Sequence, residues 1–108
     1  MLGVGIDLIE VERIRASYQK FGERFLRRIL TRGEIAYSLG FKDPAPFLAA
    51  RFAAKEAISK AFGTGIGSQL GWQDMEVGKK ESGQPFVIMH GDGLELLRNG
   101  ERGLFTSA

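Results

Sequence analysis

The sequence predicts an α+β fold in which one long helix packs on a small antiparallel sheet, and three observations carry that expectation. Leu2, Val4, Ile6 and Leu8 alternate with Gly3, Gly5, Asp7 and Ile9, the period of two expected of a strand. A helical segment opens at Asp43-Pro44, with Asp as N-cap and Pro at the first helical position, and runs to about Phe62, where Gly63 stops it. Met75 to Lys79 and Pro85 to His90 read as strands joined by the turn Glu81-Ser82-Gly83-Gln84. The order strand, helices, hairpin, helix, strand suits an α+β arrangement.

The remaining elements follow in chain order. From Val11 the pattern is helical, and Ile14, Tyr18, Phe21 and Phe25 form one apolar stripe. Arg13, Lys20, Arg24 and Arg27 form a second, basic stripe, whether or not Gly22 divides the segment in two. Thr31 with Glu34 three residues later is a capping box that starts a short helix ending near Gly40. In the long helix the expected core face is Phe47, Ala50, Ala54, Ala57, Ile58 and Ala61. Ala49, Phe52, Ala53, Glu56 and Lys60 fall on a neighbouring face, so Glu56 emerges among small side chains. Asp92 to Arg98 reads as a short helix, and Leu104 to Ala108 as the beginning of a strand.

Length and composition limit the alternatives. A chain of 108 residues with 44% hydrophobic and 26% charged residues is expected to form one globular domain, 1–108, and not a disordered segment. No run of about 18 apolar residues is present, and Asp7 and Glu10 near the start do not suit a secretory leader. The absence of cysteine removes disulfides and thiolate metal sites and fits a reducing cytoplasm. A single histidine, His90, leaves zinc without a ligand set and a Ser–His–Asp triad without support. Between residues 13 and 32 seven bases, Arg13, Arg15, Lys20, Arg24, Arg27, Arg28 and Arg32, face only Glu23. Such a field attracts nucleic acid, anionic lipid or an acidic protein, or it is simply a solvated helix face.

Two acids and a glycine run stand out. Asp7 shares its strand face with glycines, which leaves room for a ligand or metal; capping the next helix is the other use for it. Magnesium takes one or two carboxylates and completes its shell with water and phosphate oxygens, so Asp7 and Glu56 suit it if the fold joins them. Gly63-Thr64-Gly65-Ile66-Gly67 follows a helix and so lacks the arrangement of a nucleotide-binding fingerprint. It offers close backbone approach and amide donors, with Lys60 one turn upstream as a point charge; a helix stop also accounts for Gly63. Glu56 and Lys60 are likewise spaced for a surface ion pair worth about 0.3–0.5 kcal/mol.

GVGIDLIEVERI, RFLRRILTRGE and RFAAKEAISKAFGTGIG together resemble the holo-acyl-carrier-protein synthases, the small trimeric class of phosphopantetheinyl transferases. The strand-end Asp, the helix motif F-x-x-K-E-x-x-x-K and the hairpin G-x-P at Gly83-Gln84-Pro85 occur in that family's order over residues 3 to 90. The resemblance implies Mg²⁺-dependent transfer of 4′-phosphopantetheine from coenzyme A to a serine of apo acyl carrier protein. It implies that Asp7 and Glu56 hold Mg²⁺ against the pyrophosphate, that Lys60 contacts phosphate, and that Arg51 lies on the coenzyme side. It makes Gly63, Gly65, Gly67, Gln84 and Pro85 the nucleotide pocket, Arg13 and Arg24 the carrier-protein dock, and the assembly a homotrimer.

The serine must lose a proton, and either Glu56 or a metal-bound water it orients is the candidate base. The family pattern continues into a strand bearing S-[IL]-[ST]-H and then a final strand, which these 108 residues do not contain. The domain is therefore expected to be shortened or divergent at its C-terminus, with an unpaired sheet edge and impaired activity. The competing expectation is a non-catalytic module that holds an acidic protein or nucleic acid on its basic helix face.

Overall fold

In the computed structural model, which describes residues 8–67 and 69–100, the chain folds as five helices and one hairpin among the described residues. The helices are α1 (Leu8–Phe21), α2 (Glu23–Ile29), α3 (Arg32–Leu39), α4 (Ala45–Ala61) and α5 (Gly91–Gly100). A 3₁₀ turn, Trp72–Asp74, leads into strands β1 (Met75–Lys79) and β2 (Pro85–Met89). The expected N-terminal strand with Asp7 and the expected strand at Leu104–Ala108 lie outside the described residues, apart from Leu8 and Ile9, which are helical.

Local chemistry accounts for most boundaries. Gly22, at φ 67°, divides the basic segment into α1 and α2. The Thr31 hydroxyl accepts the Glu34 amide at 3.3 Å, and the Glu34 carboxylate accepts the Thr31 amide at 2.8 Å, closing the expected capping box of α3. At the end of α4 the Gly63 amide donates to the Lys60 carbonyl and the Thr64 amide to the Ser59 carbonyl. That bond pair is a Schellman stop, and it places Gly63 at φ 78°, where a side chain would be strained.

One boundary differs from expectation. Pro44, not Asp43, occupies the cap position of α4, with Pro46 in the first turn, and Pro44 makes no side-chain cap. The Asp43 carboxylate is held instead by the Arg15 guanidinium at 2.6 Å, which ties α1 to the start of α4. A charged partner on a neighbouring helix outcompetes the local amides for that carboxylate.

The apolar core lies where α1, α2 and α4 meet: Val11, Ile14, Leu26, Ile29, Leu30, Ala45, Leu48 and Ala49, with Tyr18, Phe25, Phe52 and Trp72 packed against it. The strands pair antiparallel in the register Met75↔Met89, Val77↔Val87 and Lys79↔Pro85, and Met75 and Val77 are buried. Gly78 sits under the Phe86 ring, whose nearest carbon would lie 2.6 Å from an added Cβ, so a larger residue there would displace the ring from its place across the strand pair.

The core face expected for α4 is not the observed one. Ala57 and Ala61 are exposed, and Phe47, Ala50, Ala54 and Ile58 are half-buried. The buried stripe is Ala45, Leu48, Ala49, Arg51, Lys55 and Ser59. The observed stripe is rotated from the expected one because Arg51 and Lys55 point inward. Here both cations are buried because protein oxygens or an aromatic face replace their water.

Candidate active site

The middle of α4 is organised by a buried ion pair. Lys55 Nζ donates to Glu34 Oε1 at 2.6 Å, to the Ile29 carbonyl at 2.8 Å and to the Trp72 carbonyl at 3.0 Å. Three acceptors for three ammonium protons leave none unsatisfied. Glu34 accepts the Thr31 amide and Lys55 on Oε1, and the Val77 amide on Oε2 at 2.6 Å. Lys55 is fully buried and Glu34 nearly so. Burial pushes the Lys55 pKa down, and the carboxylate of Glu34 opposes that shift. One side-chain pair thus joins the end of α2, α3, α4, the 3₁₀ turn and β1.

Glu56 follows Lys55 directly and Lys60 lies four residues on, roughly 40° apart around the helix. Glu56 is half-buried and Lys60 exposed. They form no ion pair with each other, and neither side chain has a hydrogen-bond partner among the described residues. A carboxylate and an ammonium on one accessible face, with no counter-charge among the described residues, can meet a metal and a phosphate. Asp7 lies outside the described residues, so its distance to Glu56 is not part of this geometry. Among the described residues no three acids or histidines cluster as a ready-made metal cage.

Arg51 sits roughly 140° around α4 from Glu56 and is buried. Its guanidinium lies 4.4 Å from the Tyr37 ring centroid and donates to the Phe47 carbonyl at 3.3 Å, while Nε has no partner. Burial lowers its pKa from the ordinary value, against the opposing effects of Tyr37 and Glu34. Arg51 lines a hollow of about 240 Å³ between α3 and the hairpin with Glu34, Tyr37, Glu76, Phe86 and Ile88. Within one chain, therefore, Arg51 opens on a different hollow from the Glu56–Lys60 face.

In the glycine loop the amides of Gly63, Gly65 and Gly67 donate to the carbonyls of Lys60, Ser59 and Leu70, so these three donors are taken up within the chain. Close approach to the bare backbone of the glycines remains. Gln84 and Pro85 stand exposed at the hairpin turn, where the Lys80 amide donates to the Gln84 carbonyl at 2.9 Å.

The basic segment is sorted by its partners. Arg13 is paired with Glu10 at 3.0 Å, and Arg15 with Glu12 and Asp43. Arg24 and Arg28 carry no ion pair among the described residues and rim a hollow of about 270 Å³ floored by Phe21 and Phe25. An apolar floor with a cationic rim suits an acidic protein better than a nucleic-acid backbone. His90 pairs with Glu76 at 2.9 Å, away from α4's open face.

The residue that sequence reasoning missed is Lys55, with Glu34 as its partner. The signal was present: Lys55 falls in helical register with Leu48 and Phe52, a cation on an otherwise apolar line.

These features define a small α+β domain that presents a carboxylate and an ammonium without counter-charges among the described residues, on one face of a helix held by a buried ion pair. The chain belongs to the 4′-phosphopantetheinyl transferase superfamily, which it matches over residues 3–101, and within it to the holo-[acyl-carrier-protein] synthase family of enzymes. It is 54% identical over 89 residues to a holo-[acyl-carrier-protein] synthase of Chlamydia trachomatis serovar L2, covering 82% of this chain and 74% of that one. The crystal structure of the holo-[acyl-carrier-protein] synthase of Neisseria meningitidis superimposes with a TM-score of 0.75 at 35% identity, over 82% of this chain and 71% of that one. The Bacillus anthracis protein, solved in complex with CoA (3′,5′-ADP), matches at 42% identity and a TM-score of 0.68, over 79% of this chain and 72% of that one.

Proposed function

We propose that this chain transfers the 4′-phosphopantetheine group from coenzyme A to a serine hydroxyl of apo acyl carrier protein, converting it to the holo form for fatty acid biosynthesis. The observation that carries the reading is the Glu56–Lys60 face of α4, open and without protein counter-charges among the described residues, in a chain of this family. The serine oxygen forms a bond to the phosphorus that bears pantetheine, the pyrophosphate P–O bond breaks, and 3′,5′-ADP leaves. Lys60 balances charge on the phosphate oxygens as they become more negative. Glu56, or a water it orients, takes the serine proton.

Magnesium fits the chemistry of these donors, because the Glu56 carboxylate has no protein partner among the described residues and the ion needs only one or two such ligands. Glu56 and Asp7 would hold it, and when bound it supplies charge against the pyrophosphate. Arg51 and the backbone of Gly63, Gly65, Gly67, Gln84 and Pro85 complete the coenzyme site in this reading. The acidic carrier docks on Arg24 and Arg13. A homotrimer with sites between subunits is supported by the exposed Phe86, Val87 and Ile88 of β2. The reaction belongs in the cytoplasm; no described helix is long and apolar enough to cross a membrane.

The test is mass spectrometry of apo carrier protein after incubation with the chain, coenzyme A and Mg²⁺. The carrier gains the mass of phosphopantetheine. An unmodified carrier at high enzyme concentration, with the same carrier loaded by a control transferase, overturns the reading. Salt-sensitive carrier binding indifferent to coenzyme A and Mg²⁺ would then support a holding module.

A further inference from the structure

The two halves of α4 are held by different means. The apolar core takes Ala45, Leu48, Ala49 and Phe52 from this helix, all of them ahead of Lys55. Beyond Lys55 the only buried side chain is Ser59, and its hydroxyl donates to the Glu56 carbonyl of its own helix at 2.8 Å. Glu56 and Lys60 both lie in that second half. Seven of the 17 residues of α4 are alanine, and such small side chains offer few interlocking ridges to fix the rotation of a helix.

Lys55 supplies what the alanines lack. Its three bonds run to the end of α2, to α3 and to the 3₁₀ turn, three separate directions that one ammonium satisfies at a single helix rotation. Glu34 is fixed in turn by the Thr31 and Val77 amides, so the acceptor cannot follow a turning helix. A methionine in this place would fill the volume but impose no direction. Buried ionic groups that select one register over its neighbours are the best-attested use of such pairs.

We propose that Lys55 and Glu34 are positioning residues for the transfer reaction, holding the second half of α4 at the rotation that presents the Glu56 carboxylate. This rests on the transferase reading above. Glu56 acts through a short side chain and depends on that rotation. Lys60, with a flexible four-carbon stem, tolerates small displacements. Loss of the clamp therefore falls on turnover more than on coenzyme binding.

The experiment uses the full chain carrying Lys55→Met, assayed with coenzyme A, Mg²⁺ and apo carrier at a temperature where circular dichroism reports it fully folded. The expected result is a fall in kcat of about tenfold or more, with KM for coenzyme A within about threefold of the parent. Amide hydrogen exchange should quicken by a clearly larger factor over residues 56–61 than over 46–50. A kcat per folded molecule within twofold of the parent overturns the proposal, as does exchange that rises evenly along α4. If Lys55→Met does not fold, Glu34→Gln, which removes the charge opposite Lys55 and sets an NH2 group against one of the donors that Glu34 now accepts, is judged by the same criteria. If the parent itself transfers nothing, the functional reading falls separately, and the exchange pattern still decides whether the clamp orders this half of the helix.

Discussion

Lys55 and Glu34 form a 2.6 Å ion pair with both side chains removed from water, and every proton of the ammonium has an acceptor. Taking away one partner strands the other charge in the interior. Lys55→Met should lower unfolding free energy by about 3–5 kcal/mol. The double variant Lys55→Met with Glu34→Leu should cost less than the sum of the two single changes. Urea denaturation of the four proteins gives the coupling; simple additivity would show that the pair does not act as a unit.

Glu56→Gln should abolish transfer and leave the fold intact. The carboxylate has no side-chain partner among the described residues, so stability should change by no more than about 0.5 kcal/mol. A transfer assay and a thermal melt on the same sample separate the two effects. Residual activity close to the parent's would remove Glu56 from the reacting centre.

The arginines should not be equivalent. Arg24 rims the hollow over Phe21 and Phe25 without a counter-ion among the described residues, whereas Arg13 is already paired with Glu10. Arg24→Glu should raise KM for carrier protein about tenfold or more and flatten its dependence on salt, with KM for coenzyme A unchanged. Arg13→Ala should have a clearly smaller effect. The reverse ranking in steady-state kinetics would move the dock from α2 to α1.

Stability should also respond to acid through Glu76. Its hydrogen bond to His90 holds its pKa below the ordinary carboxylate range, against a smaller opposing effect of burial, and Thr31 adds to the lowering. The unfolded chain therefore binds a proton here more readily than the folded one. The contribution is present above the ordinary glutamate pKa of about 4.3 and is lost as pH falls through the lower folded value. Glu76→Gln should flatten the fall of melting temperature below about pH 4.5, measured in parallel with the parent. An unchanged acid limb would show that the Glu76–His90 contact is too exposed to matter.

The sheet offers a test of assembly. Phe86, Val87 and Ile88 are 36%, 42% and 43% exposed on one strand, which is a large apolar share for a surface of five residues. Val87→Lys should shift a trimer toward monomer in light scattering after size exclusion. A parent that is monomeric at micromolar concentration would overturn the trimer.

Local signals made much of the fold readable. The Thr31–Glu34 capping box, the break at Gly22, the stop at Gly63 and the hairpin from Met75 to Met89 all depend on neighbours within a few residues. Their chemistry is present in the chain before it folds. The Glu56–Lys60 face was legible for the same reason, since four residues along a helix return to one side whatever surrounds them.

The inward face of α4 was not legible, because hydropathy assigns lysine to water. Lys55 turns inward only where Glu34 and the carbonyls of Ile29 and Trp72 converge on one point, from residues 17 to 26 positions away. Asp43 likewise left its local cap for an arginine 28 residues distant, and the arginine stripe was divided into paired and unpaired members by partners that periodicity does not count. The sequence by itself determined most of the helix and strand ends among the described residues, and the spacing that puts Glu56 and Lys60 on one side of α4. The tertiary structure alone decided which cations are buried, and so which way the helix carrying Glu56 faces, because a charge is kept out of water only by acceptors that folding assembles.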